Sequence, residues 1–516
     1  MGPIDALPLD LFRVLVGVLA FIYFLRTLLE AGDFSGPDGL IDHELSRELF
    51  WFTRLGMFHP DMSLAMFQAI FLSACVCSCA LILGYRVKVF AAILYLIAVC
   101  TYRWNFLVMY VDDSIVHLTL FWLLLLPVGR TLVLSEWRFD RRAAWRRWKC
   151  ERVPGAAARC FMWNLALIYL VAGLWKLTSP MWRDGVALYI ILKLPISLTP
   201  DFWGPEHLGL LKALNYGALI LEPLFPLIFI LPKGHPAKYV LLVALFGFHV
   251  GTLATLQIPF ANVACLAAMI VPFGGELMDR LREGAPCPPM WQAPARIGSS
   301  GAFALLFVAV LTLAMLSSVT LPRWRAPTRR GDAEASGILT AASGGTAGES
   351  RAACCATGDP DTGGAEGLGP LQQVFFSSLW CIGIAQQYQL FNWIDERNYS
   401  VRYRIIEDEG DAHGREIEPG AMFVESTRGV LLQFYLHGLT WMRIEPGRGA
   451  ELRSSIQTRT ASHYCQRFQP RGVVVVYSTV ERVVPSGNRV EGDPALLMRF
   501  SCDGGEPEMQ AMNLDP

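Results

Sequence analysis

The sequence predicts a mainly α-helical fold: a polytopic transmembrane bundle of about nine helices with a small C-terminal β-rich extracytoplasmic domain. Three observations carry this. Of 516 residues, 53% are hydrophobic and 17% charged, where soluble domains carry roughly 25% charged residues. The apolar residues are gathered in blocks close to the ~20 residues a helix needs to cross a bilayer at about 1.5 Å per residue. From residue 399 the pattern changes to β-branched and aromatic runs separated by Gly, Pro and Asp. The net charge of −1 gives no electrostatic reason for a nucleic-acid partner. The partner that composition implies is the lipid bilayer.

The first helix is expected over residues 11–28, with Arg13 and Arg26 placed to reach head groups. It lacks a basic lead-in and a small-residue cleavage site, so it is expected to stay as an anchor. Gly36-Pro37-Asp38-Gly39 is turn chemistry, and Phe50-Trp51-Phe52 suits a membrane interface. In the second helix, 62–83, Cys75, Cys77 and Cys79 read as small hydrophobes and no metal site is expected. The third helix, 89–99, leads to Arg103 and Asn105. The fourth, 114–126, follows Asp112 and Asp113 and carries His117 on the face of Asp113. These five residues are substrate-binding candidates; an ordinary ion pair between Arg103 and one of the aspartates is the plainer reading. Segment 138–152 holds Arg138, Arg141, Arg142, Arg146, Arg147, Lys149 and Arg152 against Asp140, Glu151 and the preceding Glu136. Basic loops stay cytoplasmic, which places the N-terminus, four helices earlier, on that side too.

The fifth helix, 158–177, carries Lys176 near its far end and breaks at Thr178-Ser179-Pro180. An ammonium there either snorkels to the interface or faces a protein interior. In an apolar pocket a lysine becomes a base near neutral pH. Residues 186–192 are too short a run to cross and read as re-entrant or interfacial. The sixth helix, 210–231, places Glu222 before Pro223, where a proline frees a backbone carbonyl and marks a cavity wall. Glu222 would hold Lys176 charged or relay a proton. The seventh helix, 239–256, carries His249, a hydrogen-bonded helical histidine or a member of the site. The eighth runs from Pro259 to about 271 and the ninth over 302–319. Residues 1–322 thus form the membrane domain. The Gly-, Ala-, Ser- and Thr-dominated 323–370 is a linker. Residues 371–516 hold an interfacial segment (375–384) and the outer domain, with strands expected at 401–406, 429–435, 472–479 and 496–500. Cys465 and Cys502 are expected to pair in an oxidising compartment.

Tyr169, Ala172, Gly173, Lys176, Leu177, Trp182 and Gly185 spell Y-x-x-A-G-x-x-K-L-x-x-x-x-W-x-x-G. Glu222 to Pro226, Phe248-His249, Phe260, Pro272-Phe273 and the stretch from Gln387 to Phe391 add further spaced matches. The pattern resembles the HTTM superfamily, the membrane domain shared with vitamin K-dependent γ-glutamyl carboxylase. That resemblance implies a lyase coupled to quinol epoxidation, with reduced vitamin K or another quinol as cofactor and a protein glutamate or lipid-like substrate. It implies Lys176 as the base, with His249 at the place of a functionally sensitive histidine. Glu222 is the supporting group and Trp182 a substrate-binding candidate of the motif. Where the carboxylase has Asn-Asn-His-Ser, this chain reads Asp112-Asp113-Ser114, and its outer domain is smaller. The alternative is a non-catalytic binding or assembly protein that uses the same polar network structurally. A transporter is a weaker third reading, because neither an internal repeat nor paired broken helices stand out.

Overall fold

The first helix, α1 (Ala6–Leu29), buries a stripe that includes two charges, Asp10 and Arg13, and the bundle closes around it. The computed structural model describes residues 2–134, 141–282, 299–318 and 399–510, except 233, 409–413, 425, 437–445, 469, 471, 486–488 and 504–505. The predicted linker at 323–370, the interfacial segment at 375–384 and the stretch at 387–391 lie outside the described residues. After α1 come α2 (Leu64–Ile82), α3 (Val87–Trp104), α4 (Val111–Leu125), α5 (Ala156–Thr178), α6 (Leu208–Leu224), α7 (Pro236–Thr255), α8 (Pro259–Ala268), α9 (Ile270–Leu281) and α10 (Ser299–Ser318).

Five of these, α1, α2, α3, α5 and α7, are long and apolar enough to cross a membrane, and six if α8 and α9 are one span bent by 41°. This is compatible with an integral multi-pass membrane protein. Exposed Val240, Val243 and Phe246 give α7 the apolar outer face that lipid contact requires. The interruptions have local causes. Pro272 lacks an N–H and clashes with the carbonyl four residues back, at Ala268, where α8 ends. Pro223 and Pro226 likewise end α6 at Leu224, and helix resumes only at Leu227–Ile230.

Arg13 does not reach head groups as expected. It is fully buried and donates to the carbonyls of Leu81 (2.5 Å) and Ile82 (2.9 Å) at the end of α2, and to Leu132 (2.8 Å). Asp10, paired with it at 3.0 Å, accepts from the backbone N–H groups of Arg130 and Thr131. Helix ends leave carbonyls unsatisfied, and in the bundle interior a buried guanidinium meets that need. The short run at 186–192, expected to be re-entrant or interfacial, forms the helix Ala187–Lys193, too short to cross and packed in a buried cluster with Trp182 and Leu211.

Strand β1 (Ile4–Asp5) pairs antiparallel with β2 (Arg152–Val153), tying the start of α1 to the start of α5. The C-terminal domain is an antiparallel sheet in the order β4-β3-β5-β6-β7, with β3 Tyr399–Asp408, β4 Arg415–Ile417, β5 Val473–Arg482, β6 Arg489–Asp503 and β7 Glu506–Met509. The strands expected at 401–406, 472–479 and 496–500 are present within β3, β5 and β6. The one expected at 429–435 is helix α11 (Thr427–Leu436). Its buried Arg428, Leu432 and Leu436 recur every four residues, which is helical spacing that a short apolar run conceals. Helix α12 (Pro446–Phe468) packs beside it, and the Cys465–Cys502 disulfide joins α12 to β6. The domain is therefore α+β rather than β alone.

Asp5 and Glu30 bracket α1, whose 24 residues span about 36 Å at 1.5 Å per residue. Asp5 pairs with Arg282 and Arg152, whereas Glu30 pairs with Arg428 of the C-terminal domain. The C-terminal domain thus caps the end of the bundle opposite the N-terminus.

Candidate active site

Tyr169, Gly173 and Lys176 stand at i, i+4 and i+7, so α5 presents them as one stripe. A Cβ on Gly173 would lie 2.6 Å from the ring of Pro223. Only glycine lets α5 and α6 approach this closely, and the approach brings Glu222, next to that proline, opposite Lys176. The Lys176 Nζ lies 2.5 Å from Glu222 Oε1 and 2.6 Å from Oε2, with both side chains 3% exposed. Trp182, on the short helix Pro180–Arg183, places its ring 5.1 Å from the same Nζ. Gly185, at φ +77, turns the chain after it in a conformation that glycine adopts readily. Asn215 of α6 donates to the Trp182 carbonyl at 2.8 Å.

Beside this pair a second chain of polar groups runs across three helices. The Tyr169 hydroxyl meets His249 Nε2 at 2.5 Å, and His249 Nδ1 meets Asn262 Oδ1 at 2.8 Å. The Asn262 amide nitrogen donates to the Ile258 carbonyl at 2.7 Å, which leaves its oxygen toward the imidazole. A carbonyl oxygen only accepts, so Nδ1 carries the proton, Nε2 accepts, and Tyr169 donates.

Of the predicted residues, Lys176, Glu222 and Trp182 are thus brought together, with His249 in the adjoining chain. The cluster near α4 is divided differently from expectation. Asp112 accepts from the backbone N–H groups of Phe260 (3.2 Å) and Ala261 (2.7 Å) and from Tyr110. Asp113 pairs with Arg428 at 3.0 Å and accepts from Tyr23 at 2.8 Å. The expected ion pair with Arg103 is replaced by these contacts, and Arg103 donates to the Leu55 carbonyl at 2.7 Å. Asn105 donates to Ser35 at 2.8 Å, and His117 lies edge-on to Tyr102 with its Nδ1 unpartnered. These contacts of Arg103, Asn105 and His117 are with residues outside the Lys176–Glu222 pair and the Tyr169–His249–Asn262 chain.

No family model, curated protein or solved structure matches the chain. Its site therefore stands on its own geometry. Among the described residues no group of three or more His, Cys, Asp or Glu is arranged to hold a metal ion. A cavity of about 20 Å³ with apolar walls lies between α4, α5 and α8, lined by Trp122, Phe161, Leu165, Ile168 and Cys265. Sequence reasoning missed Asn262, Tyr23 and Arg428 as members of these networks. Asn262 carried one usable signal, an amide in the first turn of a helix opened by Pro259. Arg428 carried none, because its partners lie some 300 residues away in sequence.

Proposed function

We propose that the protein is an integral membrane enzyme that moves a proton within the bilayer, with Lys176 as the base for a quinol or lipid-like substrate. The observation that carries this reading is the two-oxygen clasp of Glu222 on a buried lysine. A lysine and a carboxylate together bear no net charge and so tolerate an apolar interior better than either alone. The proton passes between Nζ and the carboxylate without leaving a lone charge, so Lys176 can take up a substrate proton while Glu222 receives the one it held. Trp182 walls the ammonium, and the Tyr169–His249–Asn262 chain supplies a second, neutral donor–acceptor line beside it. The motif resemblance to the vitamin K-dependent carboxylase supports a quinol hydroxyl as the acid. In the same reading the chain crosses nine times, with the basic end cytoplasmic and the C-terminal domain extracytoplasmic.

A second reading is favoured by one observation. Lys176 and Glu222 clasp each other, and Tyr169, His249 and Asn262 bond one another in a line, so each of these side chains already has a protein partner. A closed, fully bonded polar network is what a structural brace looks like as well.

Lys176→Arg separates the two. Arginine keeps the charge and the pairing but does not deprotonate in proteins. The variant is expected to fold and insert, while quinol-dependent oxygen uptake or bicarbonate incorporation falls about 10²–10⁴-fold. Activity equal to the unmodified protein sinks the base, and absence of both activities in the unmodified protein leaves the brace.

A further inference from the structure

We propose that Arg428, carried by the C-terminal domain, is a positioning residue for His249, acting through Asp113, Asp112 and the start of α8. The proposal rests on His249 belonging to the proton-handling site, although its test needs no turnover.

Arg428 enters from the first turn of α11 and is buried at the outer end of α1 and α4. One guanidinium nitrogen lies 3.0 Å from Asp113 Oδ1 and another 3.1 Å from Glu30 Oε2. Tyr23 donates to the same Asp113 oxygen at 2.8 Å, and its ring lies 6.0 Å from the guanidinium carbon. The other Asp113 oxygen accepts from the Tyr110 backbone N–H at 3.0 Å. These bonds hold the first turn of α4 in one orientation, and that orientation aims the neighbouring carboxylate.

Asp112 accepts from the N–H groups of Phe260 and Ala261, two of the donors that an α-helix leaves open at its start. The residue after Ala261 is Asn262, whose oxygen takes the His249 proton at 2.8 Å. The path from Arg428 to His249 is thus contiguous hydrogen bonding with one step along the α4 backbone and one along α8.

Charge makes the path sensitive. Buried Asp112 and Asp113 and the partly exposed Glu30 form one carboxylate cluster, and the partly exposed Arg26 (2.8 Å from Glu30) and the buried Arg428 are the guanidiniums against it. Without Arg428 the three face one cation in a low-dielectric setting, where unpaired charge is expensive. Reorientation of the first turn of α4 is the available relief, and it pulls Asp112 from α8. Arg428 is also more than glue. Docking has independent contacts: Arg459 to the carbonyls of Pro37 (2.9 Å) and Gly39 (3.0 Å), Ser455 to Asp42 (2.8 Å) and Thr427 to Gln257.

The experiment is solid-state NMR of the full chain in lipid nanodiscs with ¹⁵N-labelled histidine, the His249 resonances being those lost in His249→Gln. The unmodified protein is expected to show His249 as one neutral tautomer, protonated at Nδ1. Arg428→Gln and, independently, Asp112→Asn are each expected to give a mixture of tautomers. Arg428→Lys, which keeps the charge, is expected to restore part of the single form. Docking is read in parallel from a disulfide cross-link between cysteines placed at Ser455 and Asp42. A single tautomer in Arg428→Gln with the domain still docked overturns the proposal, as does a single tautomer in Asp112→Asn. If Arg428→Gln undocks the domain, Asp112→Asn alone decides. An active Lys176→Arg would end the base reading and leave this result standing.

Discussion

A buried lysine has three ways to be tolerated: a route to water, a carboxylate partner, or loss of its proton. Lys176 takes the second, since Glu222 contacts it with both oxygens and neither side chain reaches solvent. Removing one partner is then far worse than removing both. Lys176→Ala should cost about 3–5 kcal/mol by stranding Glu222, whereas Lys176→Met with Glu222→Leu should be close to neutral. Thermal unfolding in detergent checks both, and a double variant as unstable as the single one contradicts the pairing. His43 gives a pH-dependent counterpart outside the spans. Its ring stacks on Trp104 at 4.1 Å, its Nε2 bonds the Phe34 carbonyl at 2.9 Å, and burial pushes its pKa down to about 3. The unfolded chain titrates near 6.5. Between these values the unfolded state binds a proton the native state refuses, so stability is full above pH ~6.5 and declines as pH falls toward 3. His43→Gln should flatten that part of the stability–pH curve, and an unchanged slope would rule His43 out as its source. At this scale the sequence was legible where a residue was out of place. Lys176, Glu222 and His249 stand out in apolar helices, while Asn262 and Arg428 look ordinary until the fold supplies their partners.

Between elements, the contact that fixes the site is apolar. Gly173 against Pro223 sets how closely α5 and α6 approach, and the Lys176–Glu222 pair forms because of it. Gly173→Ala adds a Cβ 2.6 Å from the proline ring. Neither backbone nor ring can flex away, so a destabilisation of about 1–3 kcal/mol is expected from overpacking. Thermal unfolding of this variant beside Gly217→Ala, whose added Cβ would meet open space, is the check. An equal shift in the two would remove the packing argument. Helices of the membrane domain were readable to within a few residues because hydrocarbon allows few spanning structures. The reading failed where a proline or a partner intervened. Pro223 and Pro226 shortened the predicted helix at 210–231, and the run at 429–435 became α11 because Arg428, Leu432 and Leu436 found burial on one helical face.

Across the whole molecule, the proposed sidedness rests on the basic helix Arg141–Cys150 rather than on cysteine chemistry. Disulfides occur at both ends: Cys465 bonds Cys502 in the C-terminal domain, and Cys150 beside β2 is also disulfide-bonded. Disulfide positions therefore assign no side. The helix Arg141–Cys150 with Arg152 and Arg282 gathers at the N-terminal end, tied there by β1–β2 pairing and by the Arg282–Asp5 bridge. In the proposed topology basic flanks stay cytoplasmic, and nine crossings put the C-terminal domain opposite. Five or six helices meet a span's length unaided. Whether α4 and α6, with 15 and 17 residues, and α10 cross as well is what parity decides, since these three added to six make nine. Arg402 in β3 and Arg152 in β2 have exposed side chains at the two ends. With a membrane-impermeant maleimide, Arg402→Cys is expected to label in intact cells and Arg152→Cys only after permeabilisation. Labelling of both from one side would make the crossings even in number, and the nine-span reading would fall with its assignment of the catalytic end.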